Sequence, residues 1–301
     1  MMKRFSILLL ALCLLVLPAA AMALEVRIGE ELLPDGKYMA SGGIVVVDTQ
    51  PSGGYAHLKD GVLTLKDYSI SGRFPYVLGF FGGDLEIRLE GENRLETTWE
   101  AGDGIANMDG KGLTIDGSGS LTVRADYGFY DYGYTQAGGW WARQGSLTIR
   151  GGKVTFDSRA NAVTTGDVTI TGGTTKITSQ EDMGLYADGA ISISGADTVV
   201  DITAPAEEGL FLAATVAYEK IKIASPLQII TPENGSVQSD GYSYYIVDAD
   251  GEITQRVYIA AVTPAAASLP QTGDDSALML WAMLACAAAA GALLMRRRAV
   301  N

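Results

Sequence analysis

The clearest pattern in this chain is a short alternation of apolar and polar positions that keeps returning. The runs GVLTLKD, GDLEIRL, KGLTIDG, GSLTIRG, GDVTITG, GAISISG and EKIKIAS begin near Gly61, Gly83, Lys111, Gly145, Gly166, Gly189 and Glu219. In each, apolar residues flank a polar or β-branched one, the period of two that marks a strand with one buried face. The runs return every 21 to 34 residues or so, a repeat length typical of solenoids. A second strand follows each first one: NRLET, SLTVRA, KVTFDS, TTKITS, TVVDIT and LQIIT, from Asn93, Ser120, Lys153, Thr174, Thr198 and Leu227. A third short segment completes several units: GIAN at Gly104, GFYD at Gly128, AVTT at Ala162, GLYAD at Gly184 and GLFLA at Gly209.

Three short strands per coil predict an all-β fold, a parallel β-helix over residues 61–235. One coil cannot bury its inward side chains alone, whereas coils stacked at about 4.8 Å share a continuous core. Ile115, Ile149, Ile170 and Ile193 are expected to form one inward ladder, with Thr114, Thr148, Thr169 and Ser192 as the outward ladder beside it. A slip of one residue would exchange the two ladders, so the register is strongly specified. An antiparallel sandwich is the alternative, but its strands would not come back in the same three-part order. Open solenoid ends need caps. Residues 24–60 lack the repeat signature and are expected to cover the first coil. Residues 236–262 read as a β-hairpin cap whose turn is Asp250-Gly251.

Both termini carry a different kind of signal. Lys3 and Arg4, an apolar stretch over 5–17, Pro18 and the small residues Ala21 and Ala23 read as a signal peptide, 1–23. Residues 277–295 form an uncharged apolar run followed by Arg296, Arg297 and Arg298. That is close to the roughly 20 residues of a transmembrane helix, with the basic tail on the cytoplasmic side. Just before it stand Leu269, Pro270, Gln271, Thr272 and Gly273. The order LPQTG, span, basic tail (269–301) resembles the cell-wall sorting signal of Gram-positive surface proteins. The resemblance implies cleavage between Thr272 and Gly273 by a sortase, with Thr272 passed to peptidoglycan. Sortase and peptidoglycan are therefore the expected partners, and an extracellular, wall-anchored location is expected, with a membrane-spanning precursor. The linker, 263–268, is short: with Val262 before it, a tether of about seven residues reaches only about 25 Å, which predicts a head held inside or against the wall.

Composition narrows the chemistry. The formal net charge is −13, and removing both processed ends gives about −13 − 2 − 1 = −16. This argues against nucleic-acid binding, which rests on cationic contacts to phosphate. Cys13 and Cys286 both lie in the processed ends, and His57 is the sole histidine. A disulfide framework, a His-based metal site and a Ser-His triad have almost nothing to be built from. No metal or other cofactor is expected. The turn in DADGEI lacks the ligand series of a calcium loop.

The candidate ligand-binding residues are aromatic. The stretch ADYGFYDYGYTQAGGWWARQ reads as an insertion and holds Tyr127, Phe129, Tyr130, Tyr132, Tyr134, Trp140 and Trp141, and Trp99 lies on an earlier connecting segment. Aromatic rings stack on the C–H faces of sugars and favour interfaces. The same rings can equally pack over a corner of the solenoid, and the sequence leaves both readings open. Asp103, Asp109, Asp116, Asp126 and Asp131 supply carboxylates near this stretch, but several stand in the Asp-Gly pairs that turns use routinely.

The repeat region also resembles secreted Firmicutes surface proteins with a carbohydrate-binding-like domain. The residues that carry this likeness are GYAHLKDGVLTLKDYSISG, the GxLTIxG coils and GYSYYIVDADGEI. It implies glycan binding and transfers no binding residues. The expected function is a non-catalytic surface protein, an adhesin or carbohydrate-binding module. A wall-bound polysaccharide hydrolase or lyase, or a structural wall spacer, are the alternatives.

Overall fold

The computed structural model describes residues 23–137, 140–205 and 213–262. The expected signal peptide, apart from Ala23, and residues 263–301 with the sorting motif fall outside these. The described chain is a parallel β-solenoid of about five turns with three sheets.

The first sheet stacks Val62–Lys66, Leu85–Glu90, Gly112–Gly117, Ser146–Ile149, Asp167–Ile170, Ala190–Ile193 and Lys220–Ile223, all parallel. Register follows the expected ladders: Ile87, Ile115, Ile149, Ile170 and Ile193 lie opposite one another in turn and are fully buried. Thr114, Thr148, Thr169 and Ser192 form the neighbouring outward column. This alternation makes a local prediction. Ile170→Val should cost about 0.5–1.5 kcal/mol through lost packing, whereas Thr169→Val should stay within about 0.5 kcal/mol. Urea midpoints at constant slope read both. Equal costs would mean that the faces are assigned wrongly.

The second sheet stacks Ser69–Gly72, Glu92–Thr97, Ser120–Ala125, Lys153–Ser158, Thr174–Ser179 and Val199–Thr203 in parallel. The third stacks Tyr76–Phe81, Asp103–Asn107, Tyr127–Asp131, Val163–Thr165, Leu185–Ala187 and Thr215–Ala217. The corner between these two sheets admits almost no side chain. A Cβ on Gly104 would sit 2.0 Å from Val123 Cγ1, and one on Gly128 would sit 2.4 Å from the Ala162 carbonyl. The segment GLFLA falls largely outside the described residues, and the third strand of its coil is Thr215–Ala217, further along the chain.

The N-terminal segment closes the first coil by antiparallel pairing. Glu25–Ile28 pairs with Tyr76–Phe81, and Tyr55–Lys59 folds against Val62–Lys66. Asp60 and Gly61 make that turn with φ of 51° and 80°, the left-handed pair that a two-residue hairpin demands.

The C-terminal cap is a hairpin, but with different arms from those expected. Its strands are Ser236–Ser239 and Tyr244–Val247, which continue the third sheet antiparallel to Thr215–Ala217. The runs on either side of Asp250-Gly251 touch through a single bridge, Val247 to Ile253. The second run, Arg256–Ala261, crosses to the second sheet and pairs antiparallel with both Val199–Thr203 and Leu227–Thr231. All three sheets end near this level, and the C-terminal runs supply backbone partners to the open edges of the second and third. Splitting the two runs supplies both edges, which a closed hairpin could not.

Candidate functional site

The aromatic stretch is only partly an insertion. Tyr127–Asp131 is an ordinary rung of the third sheet, because its residues meet the same register as Asp103–Asn107. Phe129 lies opposite Ile105 and Val163 and is fully buried, so it belongs to the core. The true insertion is the antiparallel hairpin of Tyr134–Ala137 and Trp140–Arg143. Trp140 and Trp141 stand in its second strand, and their side chains lie outside the described part.

Four of the candidate tyrosines are brought together. The rings of Tyr127 and Tyr130 meet edge-on at 5.4 Å, and Tyr130 and Tyr132 meet at 4.7 Å. The Tyr130 and Tyr134 hydroxyls are 3.3 Å apart. Trp99 instead lies on the loop leading from the second sheet to the third, where the Arg73 guanidinium covers its ring at 4.6 Å.

Arg143 locks the base of the hairpin onto the solenoid. Its guanidinium lies 5.0, 4.8 and 5.6 Å from the ring centres of Tyr130, Tyr134 and Tyr186. Its Nη1 donates to Asp188 Oδ2 at 3.0 Å, its Nη2 to the Tyr130 hydroxyl at 2.9 Å, and its Nε to the Asp131 carbonyl at 3.1 Å. The backbone N–H of Arg143 also donates to Asp188 Oδ2, at 2.9 Å, while Asp188 Oδ1 accepts from the Tyr186 hydroxyl at 2.8 Å. Pattern reading missed this cluster. One signal was available: Arg143 is the lone cation of ADYGFYDYGYTQAGGWWARQ, and a lone Arg among aromatics invites stacking.

The tyrosine hydroxyls are largely spent inside the protein. Tyr132 donates to Asp103 Oδ2 at 2.8 Å. Burial raises the pKa of Tyr132 and Tyr186, and lifts that of Tyr134 to about 12, so these phenols remain protonated near neutrality. Exposed ring surface remains at Tyr132, 44%, and Tyr134, 39%. The cluster can therefore offer ring faces and edges more readily than hydroxyls.

The acids divide sharply. Asp109 accepts from Gly82 N–H, Asp116 from Gly117, Asp126 from Ala101 and Asp131 from Gly133 and Gly145. These four secure backbone at turns. Asp103 differs: it is buried like Asp131, but it accepts from no backbone N–H and its Oδ1 has no hydrogen-bond partner. Burial pushes its carboxyl up to about 7, against the smaller lowering effect of the Tyr132 hydroxyl. No group of three or more His, Cys, Asp or Glu suited to a metal ion occurs among the described residues.

Comparison with protein-family models, with curated proteins and with solved structures finds no match for this chain.

Proposed function

We propose that this chain is an exported, wall-anchored β-solenoid that presents an aromatic outer face to glycans without catalysing a reaction. The observation that carries the anchoring is the order of parts after residue 268: LPQTG, an uncharged run over 277–295, and three arginines. The glycan reading is supported by the half-exposed rings of Tyr132 and Tyr134, whose hydroxyls are already engaged. Rings in that state suit stacking on the C–H face of a sugar. A hydrolase or lyase would need an accessible pair of carboxylates. Asp103 is enclosed, and the other four acids hold turns.

Mass spectrometry of enzymatically digested walls from the producing cell tests the anchor. The expected C-terminal peptide ends at Thr272 joined to a wall peptide, and a Pro270→Ala, Thr272→Ala variant should instead appear in the membrane and medium. Recovery of intact 273–301 tails from a sortase-competent host would overturn it. For the glycan contact, Tyr132→Ala, Tyr134→Ala should lower retention on immobilised wall and capsule polysaccharides about fivefold or more, a loss of about 1 kcal/mol. Unchanged retention would leave the spacer reading.

A further inference from the structure

The second sheet carries a cavity that the aromatic cluster does not touch. It has a volume of about 560 Å³ and is lined by Ser69, Glu92, Asn93, Arg94, Ser120, Thr122, Lys153 and Thr155. Register explains how these residues meet. Ser69, Arg94, Thr122 and Thr155 lie opposite one another in turn on four successive strands, one outward column. Glu92, Ser120 and Lys153 form the column next to it. The floor thus runs along the solenoid axis for three steps of about 4.8 Å, roughly 14 Å in all.

The floor is rigid, and its polar tips are free. Beneath it Asn93, 3% exposed, uses its whole amide: Oδ1 accepts from Tyr68 N–H, and Nδ2 donates to the Glu90 and Ser120 carbonyls. Arg94 is held in place by Glu96, with Nε to Oε2 at 2.8 Å. Among the described residues, the hydroxyls of Ser69, Ser120, Thr122 and Thr155 make no hydrogen bond to protein, and Lys153 has no ion-pair partner.

Three ligand classes fail on this surface. A peptide strand cannot add here, because Glu92–Thr97, Ser120–Ala125 and Lys153–Ser158 are paired on both edges. Nucleic acid needs a run of cations to neutralise successive phosphates, whereas Lys153 is the one lining cation without an acid partner among the described residues. An apolar ligand finds no apolar wall, since every lining side chain is polar. A linear polymer rich in hydroxyls and carrying carboxylates fits all three features: length along the axis, repeated hydroxyl partners, and the unpaired Lys153, two strands along the axis from Glu92 and Arg94.

We infer that this groove binds a linear acidic oligosaccharide, a carboxylate toward Lys153 and its hydroxyls on the Ser/Thr columns. This site is separate from the aromatic face, and it does not depend on wall anchoring. Calorimetric titration of the full chain with a linear oligogalacturonate tests it, with a neutral cello-oligosaccharide of equal length as control. Saturable binding is expected that weakens with added salt. It should fall about tenfold in Lys153→Gln and again in Thr122→Val, Thr155→Val. The neutral oligosaccharide should bind at least about tenfold more weakly. Both variants alter side chains on the outward face of the sheet, and an unchanged urea midpoint confirms the fold. If the double valine variant unfolds, Lys153→Gln alone decides. Tyr132→Ala, the probe of the aromatic face, should leave oligogalacturonate binding intact, so the two readings fail separately. Absence of saturable binding, equal binding of the neutral sugar, or indifference to Lys153→Gln would overturn the site.

Discussion

Arg143→Ala should destabilise this protein by about 3–5 kcal/mol, the usual cost of removing one partner from a buried ion pair. The side chains of Arg143 and Asp188 are only 11% and 10% exposed. Without the guanidinium, Asp188 keeps its charge in a desolvated site, and Tyr130 loses both its hydrogen-bond donor and the cation beside its ring. Arg143→Lys should recover little, because an ammonium cannot fork between Asp188, Tyr130 and the Asp131 carbonyl while lying flat on tyrosine rings. Asp188→Asn in the Arg143→Ala background should restore part of the loss by removing the orphaned charge. If the hairpin lifts away as a unit, Asp188 is rehydrated and the damage shows as proteolysis between 134 and 143. Urea midpoints and limited proteolysis together therefore cover both routes. An Arg143→Ala protein within about 1 kcal/mol of the parent, with no new cleavage, would show that the pair does not hold the hairpin.

The contrast between the isoleucine ladder and this ion pair shows what the sequence makes legible. Ile115, Ile149, Ile170 and Ile193 sit in runs that carry their own period, so their facing and their register follow from local alternation. Arg143 and Asp188 are 45 residues apart. Their meeting depends on how far the hairpin reaches along the outer face of the third sheet, which no local period encodes. The same holds for Asp103 and Tyr132, 29 residues apart on different rungs. Asp103 reads as another Asp-Gly turn, yet it is the one acid of the five that caps no backbone group. The C-terminal arms show a third limit. Both YYIV and RVYIA alternate correctly as strands, but alternation does not say which strand is the partner, and two unsatisfied sheet edges drew them apart. The polar groove on the second sheet was hidden for a related reason. Ser, Thr, Arg and Lys at outward strand positions look like ordinary solvated residues until register stacks them into columns.

The stability of this protein should fall as the pH rises from about 5 to 8, and Asp103→Asn should flatten most of that fall. Burial raises the Asp103 carboxyl from 3.8 to about 7. Between those values the folded state keeps a proton that the unfolded chain has released. The contribution is therefore intact in acid, is lost progressively as pH climbs through the window, and is constant above the folded value. About two of the three units lie above pH 5, and at about 1.4 kcal/mol each they bound the fall in this window at about 3 kcal/mol. Burial also raises the Asp131 and Asp182 carboxyls, against the backbone N–H groups that lower them, so a smaller slope of the same sign should remain in the variant. His57 works in the opposite direction. Burial first, and Lys59 second, depress its pKa, so its share of stability grows as pH rises toward 6.5. Comparing parent and variant in a His57→Gln background removes that opposing slope. Asp126 and Asp240 are lowered below the usual carboxylate range, by Arg159 and by backbone N–H groups respectively, so they act at more acidic pH. The asparagine carbonyl still accepts from the Tyr132 hydroxyl, so the variant keeps the bond while losing the titration. Urea midpoints at half-unit pH steps give the result. At pH 8 the Asp103→Asn protein should be the more stable of the two, and parent and variant curves running parallel from pH 5 to 8 would show that the enclosed carboxyl carries no proton linkage.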